Sequence, residues 1–232
     1  MIRDAANALL SALITPPCAV CGHVLDRPLD GAVCENCWTA VGPRAMPLPL
    51  QTITCAQSIG LYEGTLRDVL HALKYDGRRS IGARLSRLMA IEARGVLDGA
   101  DAVVPVPLHR RRRRERGFNQ AADLSRGLGL PLVHALRRAR PTPPQVGLSA
   151  EERLDNVRDA FALRRTFSLR TLRQRVVVLV DDVATTGATL EACARVLRMA
   201  GASEVRALTA ARVVSERRPP RPASPCPCPD RR

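Results

Sequence analysis

The stretch Val177-Val178-Leu179-Val180-Asp181-Asp182-Val183-Ala184-Thr185-Thr186-Gly187-Ala188-Thr189 concentrates the groups best suited to chemistry. An unbroken apolar run delivers two adjacent carboxylates. A short loop of small hydroxyl residues and one glycine follows, and then a helical pattern begins. Free N–H groups at a helix start, with the helix dipole behind them, hold a phosphate without needing lysine. Thr185, Thr186 and Thr189 add hydroxyl donors, Ala184 and Ala188 take little space, and Gly187 lets backbone approach closely. Carboxylates at the mouth of such a loop repel phosphate, so Asp181 and Asp182 should face something else. Vicinal sugar hydroxyls, which donate to carboxylates, are the natural candidates. The stretch therefore reads as a ribose-5-phosphate cradle. It is not a Walker loop, because the Gly-x4-Gly-Lys pattern is absent.

A second constellation lies near the start. Cys18-x2-Cys21 and Cys34-x2-Cys37 form two knuckles separated by twelve residues. Each knuckle brings two thiolates to one ion, and four thiolates close a tetrahedral zinc site with no open position. Such a site is structural. Gly22 follows the first pair, where a tight knuckle needs little side chain. Disulfides or redox thiols fit less well, since the motif is doubled and no convincing export signal precedes it. His23 could replace one sulfur, but four cysteines already suffice. Cys55 and Cys193 sit in apolar surroundings and read as small core residues, and Cys226 and Cys228 receive no role.

Charge supplies the third clue. The 232 residues carry 36 Lys+Arg against 22 Asp+Glu, for a formal net charge of +14. Lys74 is the only lysine, so the excess consists of planar guanidiniums suited to phosphate. Most of the excess sits in three places: Arg110–Arg116, the trio Arg137, Arg138 and Arg140, and the tail 215–232. Six prolines in the tail forbid regular structure there. A lone lysine is either a chance leftover or the mark of a site needing a compact ammonium. Hydrophobic residues at 46% exclude wholesale disorder, and aromatics at 3% leave little for base-stacking platforms. No apolar run approaches the roughly 18 residues of a membrane span, and a cytoplasmic protein is expected.

Elements that could position these groups follow from periodicity. Helical spacing is expected over 2–14, Gly64–Tyr75, Ser80–Arg94, about 119–129, from a capping box at Ser149–Glu152 to Asp159, and 188–200. Strands are expected at Thr52–Tyr62, Ala102–Val106, Val176–Val180 and Val205–Val214, with a basic loop over 110–116. Their alternation implies an α/β fold, a parallel sheet flanked by helices, with a small N-terminal zinc-knuckle module.

Residues 177–189 resemble the signature of type I phosphoribosyltransferases, which bind 5-phosphoribosyl-1-pyrophosphate (PRPP). The wider pattern resembles the competence protein F (ComF) family. It comprises the doubled Cys-x2-Cys, Tyr62-Glu-Gly64, Leu73-Lys74-Tyr75, Pro105-Val-Pro107-Leu108 and Arg116-Gly117-Phe118-Asn119-Gln120. Gln145-x-Gly-Leu-Ser149 and Arg153-x2-Asn156-Val157 complete it, and the likeness runs over roughly 1–214.

The resemblance implies three parts: a helix and four-cysteine module over 1–42, a phosphoribosyltransferase domain over 52–214, and a basic tail over 215–232. It implies that Asp181 and Asp182 hold the ribose hydroxyls and that Ala184 through Thr189 hold the 5-phosphate. Lys74, Arg116, Asn119 and Gln120 become candidates for pyrophosphate or a loop closing over it, as does the run Arg110–Arg114 after the strand Val104–Leu108, with magnesium accompanying PRPP. Hypoxanthine-guanine enzymes place an acidic base three residues after the second carboxylate; here that position is Thr185, so that mechanism is not supported. Two classes of function stay open. One is transfer of phosphoribosyl to an unidentified nitrogen acceptor. The other is a non-catalytic PRPP sensor or competence protein, with single-stranded DNA or a competence helicase as partner.

Overall fold

The computed structural model describes residues 4–7, 9–10, 16–75, 78–139 and 160–214. The first helix is helical at its described residues 4–7 and 9–10. The helix expected from Ser149, the motifs at Gln145–Ser149 and Arg153–Val157, and the tail lie outside the described residues.

In chain order the helices are α1 (Glu35–Val41), α2 (Gly64–Tyr75), α3 (Ser80–Glu92), α4 (Arg94–Leu97), α5 (Arg110–Arg116), α6 (Gln120–Ser125) and α7 (Ala188–Met199). The strands are β1 (Met46–Pro47), β2 (Ala56–Ser58), β3 (Ala102–Pro105), β4 (Leu136–Arg138), β5 (Phe161–Leu163), β6 (Val176–Ala184) and β7 (Glu204–Arg212). The main sheet runs β1-β2-β7-β6-β3, with only the short edge strand β1 antiparallel. β4 and β5 form a separate antiparallel pair.

β6 is central, and its alternation divides the core. Val178 and Val180 join Val69, Leu70, Leu73, Leu85 and Met89 of α2 and α3 on one face. Val177 and Leu179 join Leu190, Cys193 and Leu197 of α7, with Leu136 and Phe161, on the other. A strand buried on both faces reads as continuous β-branched and aliphatic sequence for this reason. The cysteine module shares the first core, since Cys18, Leu25, Val33, Cys37 and Trp38 belong to the same apolar cluster. Arg84 of α3 fastens it further: its guanidinium lies 5.0 Å from the Trp38 ring and pairs with both carboxylate oxygens of Glu35.

Several expectations change. The stretch 110–116 is a helix, because arginine is a good helix former and both ends are capped. His109 Nδ1 accepts from the Arg111 N–H, Arg111 pairs with Glu115 one turn on, and Gly117 closes the helix at φ 75°. The expected strand Thr52–Tyr62 shrinks to Ala56–Ser58, with an isolated parallel bridge from Leu61 to Arg212 beyond it. The expected helix Ser80–Arg94 breaks at Ala93 into α3 and α4. The one expected over 119–129 is confined to six residues, with Gly127 packed against Ser86. β6 continues beyond Val180 through both aspartates to Ala184, because β7 pairs with it that far. The β4–β5 pair was not foreseen, since three-residue strands carry no readable period.

Leu179 is wholly buried in the strand that both layers grip. Leu179→Ala should cost about 2–5 kcal/mol, read as a lower midpoint at unchanged slope in urea unfolding. A loss below about 1 kcal/mol would mean that this face of β6 is loosely packed.

Candidate functional site

The sheet presents its chemistry at the C-terminal end of β6. Asp181 stands opposite Thr209 of β7. Each carboxylate turns back on the chain: Asp181 Oδ1 accepts from the Asp182 N–H at 2.9 Å, and Asp182 Oδ1 from the Val183 N–H at 2.7 Å. The other oxygen of Asp182 lies 3.0 Å from Lys74 Nζ, with the two side chains only 12% and 17% exposed. Lys74 occupies the last turn of α2, where the helix dipole favours a cation. Its ammonium also stands 5.5 Å from the centre of the Tyr62 ring.

Burial, followed by the adjacent Asp182 charge, pushes the Asp181 carboxyl up to about 8. Lys74 and Arg138 oppose that rise without overcoming it. The site thus sets a carboxyl that holds its proton beside an acid paired with a lysine.

Beyond Ala184 the chain turns through exposed Thr185 and Thr186 into Gly187, which adopts φ 76°, ψ −2°. A Cβ here would run into the tip of Leu50 and displace it, and the positive φ favours glycine at position 187. α7 then begins with buried Ala188 and half-buried Thr189, presenting its N-terminal amides beside the loop. Thr186 Oγ1 accepts weakly from the Ala188 N–H at 3.4 Å. Leu50 is fixed by Glu191 of α7, whose carboxylate accepts from the backbone N–H groups of Gln51 and Thr52.

The remaining candidates divide. Arg116 lies over the Tyr75 ring at 5.0 Å and reaches its hydroxyl at 3.4 Å, one residue along from Lys74. Asn119 donates to the Val106 carbonyl at 3.0 Å and so fixes the chain leaving β3. Gln120 is 1% exposed at the start of α6.

In the cysteine module the sulfurs of Cys18, Cys21, Cys34 and Cys37 lie within 4.8 Å of one another. The Cys18–Cys37 and Cys21–Cys34 separations are 3.9 and 3.7 Å. A tetrahedron with zinc–sulfur bonds of about 2.3 Å requires sulfurs about 3.8 Å apart, so the four thiols fit a zinc ion. Burial raises the Cys18 thiol, but backbone N–H groups of Cys21, Cys34 and Val20 outweigh it and bring it down to about 6. Burial and the other thiols push Cys37 up. Without a cation, four thiolates cannot coexist at this spacing.

A family model described as "Phosphoribosyl transferase domain" matches residues 114–227. The chain is 36% identical over 157 residues to "Competence protein F" of Haemophilus influenzae, covering 63% of this chain and 68% of that one. It is 32% identical over 206 residues to "DNA utilization protein YhgH" of Escherichia coli K12, covering 81% and 86%. Identity to "Competence protein ComFC" of Bacillus subtilis is 30% over 184 residues, covering 78% and 70%. The chain belongs to the ComF family. It falls within the type I phosphoribosyltransferase superfamily.

In this ComF-family chain, three residues that sequence reasoning overlooked support the site. Leu50 and Glu191 shape the loop's back wall, and Arg138 acts on Asp181 from β4. An acid in the first turn of a helix was visible at Glu191, but nothing local tied it to a segment 140 residues away.

The Asp181 carboxyl has a testable consequence. Unfolded, it ionises at its ordinary 3.8; folded, it keeps its proton up to about 8. The folded state binds the extra proton across that window. The contribution to stability is therefore full below the unfolded value and lost as pH rises through the folded one. Asp181→Asn should flatten the fall in unfolding free energy between these two pH values. Superimposable profiles for the variant and the parent would mean that Asp181 is ionised in the folded protein.

Proposed function

We propose that the chain binds PRPP and transfers its phosphoribosyl group to a nitrogen acceptor, with a structural zinc holding the cysteine module. The observation that carries this reading is the acidic pair on β6 running directly into a hydroxyl- and glycine-lined turn at the start of a twelve-residue helix. In it, Asp181 and Asp182 receive the ribose 2′ and 3′ hydroxyls, one oxygen already being preset by Lys74. The loop Ala184–Thr189 holds the 5-phosphate with amides and hydroxyls, its glycine excluding any side chain from the cradle. Lys74 at the end of α2, and Arg116 of α5, which lies over the ring of the adjoining Tyr75, stand as cations for the pyrophosphate. Magnesium, carried by PRPP, supplies charge compensation on the leaving group. The acceptor nitrogen forms a bond to ribose C1 as the C1–O bond breaks, pyrophosphate leaves with the electron pair, and the nitrogen loses its proton.

A second reading has its own support. Arg111, Arg112, Arg113 and Arg114 of α5 are exposed, and the names of the relatives refer to competence and DNA utilization. A row of guanidiniums on a solvent-facing helix suits the backbone of single-stranded DNA, with PRPP acting as a regulatory ligand.

Two measurements test the main reading. Calorimetry with PRPP and magnesium should give binding that falls at least about tenfold in Asp182→Asn, the loss of a charge-assisted hydrogen bond being worth about 1.5–3 kcal/mol. Undiminished binding in the double variant Asp181→Asn, Asp182→Asn would remove the cradle. Pyrophosphate release with a panel of nitrogen bases separates a transferase from a sensor. Metal analysis of the purified chain should return zinc. Cys18→Ser with Cys34→Ser should lose it and unfold at lower temperature; retained metal and an unshifted transition would overturn the zinc assignment.

A further inference from the structure

Asp181 and Asp182 turn to opposite faces of the sheet. Asp182 faces α2, where Lys74 meets it at 3.0 Å. Asp181 follows Leu179 on the face that packs against α7. The groups whose charge bears on it are Asp182 of its own strand, Lys74 of α2 and Arg138 of β4. Cys193 of α7 is also close, but burial pushes its thiol up, so it brings no charge. Among the described residues the Asp181 side chain makes one hydrogen bond, from the Asp182 N–H.

Two hydroxyls lie in line with it. Asp181 is in register with Thr209 of β7, and Thr209 with Ser58 of β2, so the three form one row across three strands. They share a face, because Leu179, Ala207 and Ala56, each two residues earlier, all belong to the core beneath α7. Thr209 and Ser58 are wholly buried, and neither hydroxyl has a hydrogen-bond partner among the described residues. A buried hydroxyl without a partner is costly, and an apolar side chain of the same shape avoids that cost. Val205 and Ala207 of β7 follow the apolar rule on this face, and Thr209 departs from it beside the acid. Neighbouring strands lie about 4.8 Å apart, a gap that a side-chain hydroxyl or one water spans.

We propose that Thr209, backed by Ser58, is the positioning residue for Asp181, its hydroxyl bonding the carboxyl directly or through one buried water. The bond forms without any ligand. Its use, to aim Asp181 at a ribose hydroxyl, rests on the PRPP reading above. A hydroxyl suits an acid that changes its proton, since it accepts from a carboxylic acid and donates to a carboxylate. While Asp181 keeps its proton, it donates to Thr209, and Thr209 donates on to Ser58. Once the proton is gone the row reverses, with Ser58 donating to Thr209 and Thr209 to the carboxylate. The bond to the ionised form is the stronger of the two.

The test follows the Asp181 carboxyl carbon by NMR through its titration, in the full chain without ligand, the signal being assigned by its loss in Asp181→Asn. Thr209→Val keeps the shape and removes the hydroxyl, and it should raise the titration by about one pH unit. Ser58→Ala should shift it the same way by less, and Thr209→Ser should restore the parent value. A role in packing alone would lower stability and leave the titration in place. An unmoved titration in either Thr209→Val or Ser58→Ala, a downward shift, or a shift that serine does not restore would each overturn the proposal. Calorimetry with PRPP and magnesium separates this from the reading it extends. Thr209→Val should weaken binding about two- to tenfold, with Thr209→Ser close to the parent. A shifted titration in a chain that binds no PRPP supports the hydrogen bond and overturns the cradle. PRPP binding by the parent with an unmoved titration overturns the role of Thr209 alone.

Discussion

β6 must be apolar on both faces for the sheet to exist and must then, within one residue, turn from Val180 to two carboxylates. The rest of the molecule is arranged around that transition. Val177 through Val180 are all wholly buried. At about 1.5–3 kcal/mol for each fully buried aliphatic side chain, their burial offers on the order of 6–12 kcal/mol before chain entropy is counted. An uncompensated buried charge costs several kcal/mol, enough to cancel much of that. The structure limits the cost in three ways. Lys74 pairs with Asp182, backbone N–H groups donate to an oxygen of each side chain, and Asp181 keeps its proton. A strand could not carry two free charges at this depth, so the acidity of the pair is a product of the sheet that buries it.

The same constraint explains why the flanking layers meet where they do. α2 presents its apolar stripe to one face of β6 and its last turn to the aspartates, so a single helix both packs the sheet and supplies the counter-ion. α7 does the equivalent on the opposite face. Leu190, Cys193 and Leu197 enter the core, while its first turn forms the loop's far wall and uses Glu191 to hold the segment carrying Leu50. Packing and chemistry therefore share the same two helices. A change in the register of either would move a site residue as well as a core contact.

The parts legible in sequence were those with a local cause. Val177–Val180 reads as a doubly buried strand, Gly187 as a backbone position closed to side chains, and the doubled Cys-x2-Cys as four convergent sulfurs, because each motif carries its own geometry. What escaped depends on distant partners. β6 extends through Asp181 and Asp182 because β7 runs alongside to Arg212, and no pattern within 181–184 announces that. The arginine run 110–116 carries no apolar period, and its helix rests on arginine's propensity and on the His109 and Gly117 caps. The three-residue strands β4 and β5 are too short to show a period, yet their pairing lays Arg138 over Phe161.

Thirty-five arginines and one lysine amount to a comparison made within a single chain. Guanidinium groups appear where forks can grip two oxygens or lie over rings: Arg84 on Trp38 and Glu35, Arg79 on Phe118 and Asp123, Arg116 on Tyr75. The position below Asp182 differs, being almost closed, with Tyr62 to one side and one carboxylate oxygen as the polar partner. A planar fork there would need two acceptors and would reach past the carboxylate into the space in front of the loop. An ammonium ends in a point, gives one short contact to Asp182 Oδ2, and leaves the remaining lone pairs of the acidic pair facing outward. The exception to the chain's arginine habit thus follows from the geometry of the cleft, where the cation must be small enough to hold the acid without filling the site.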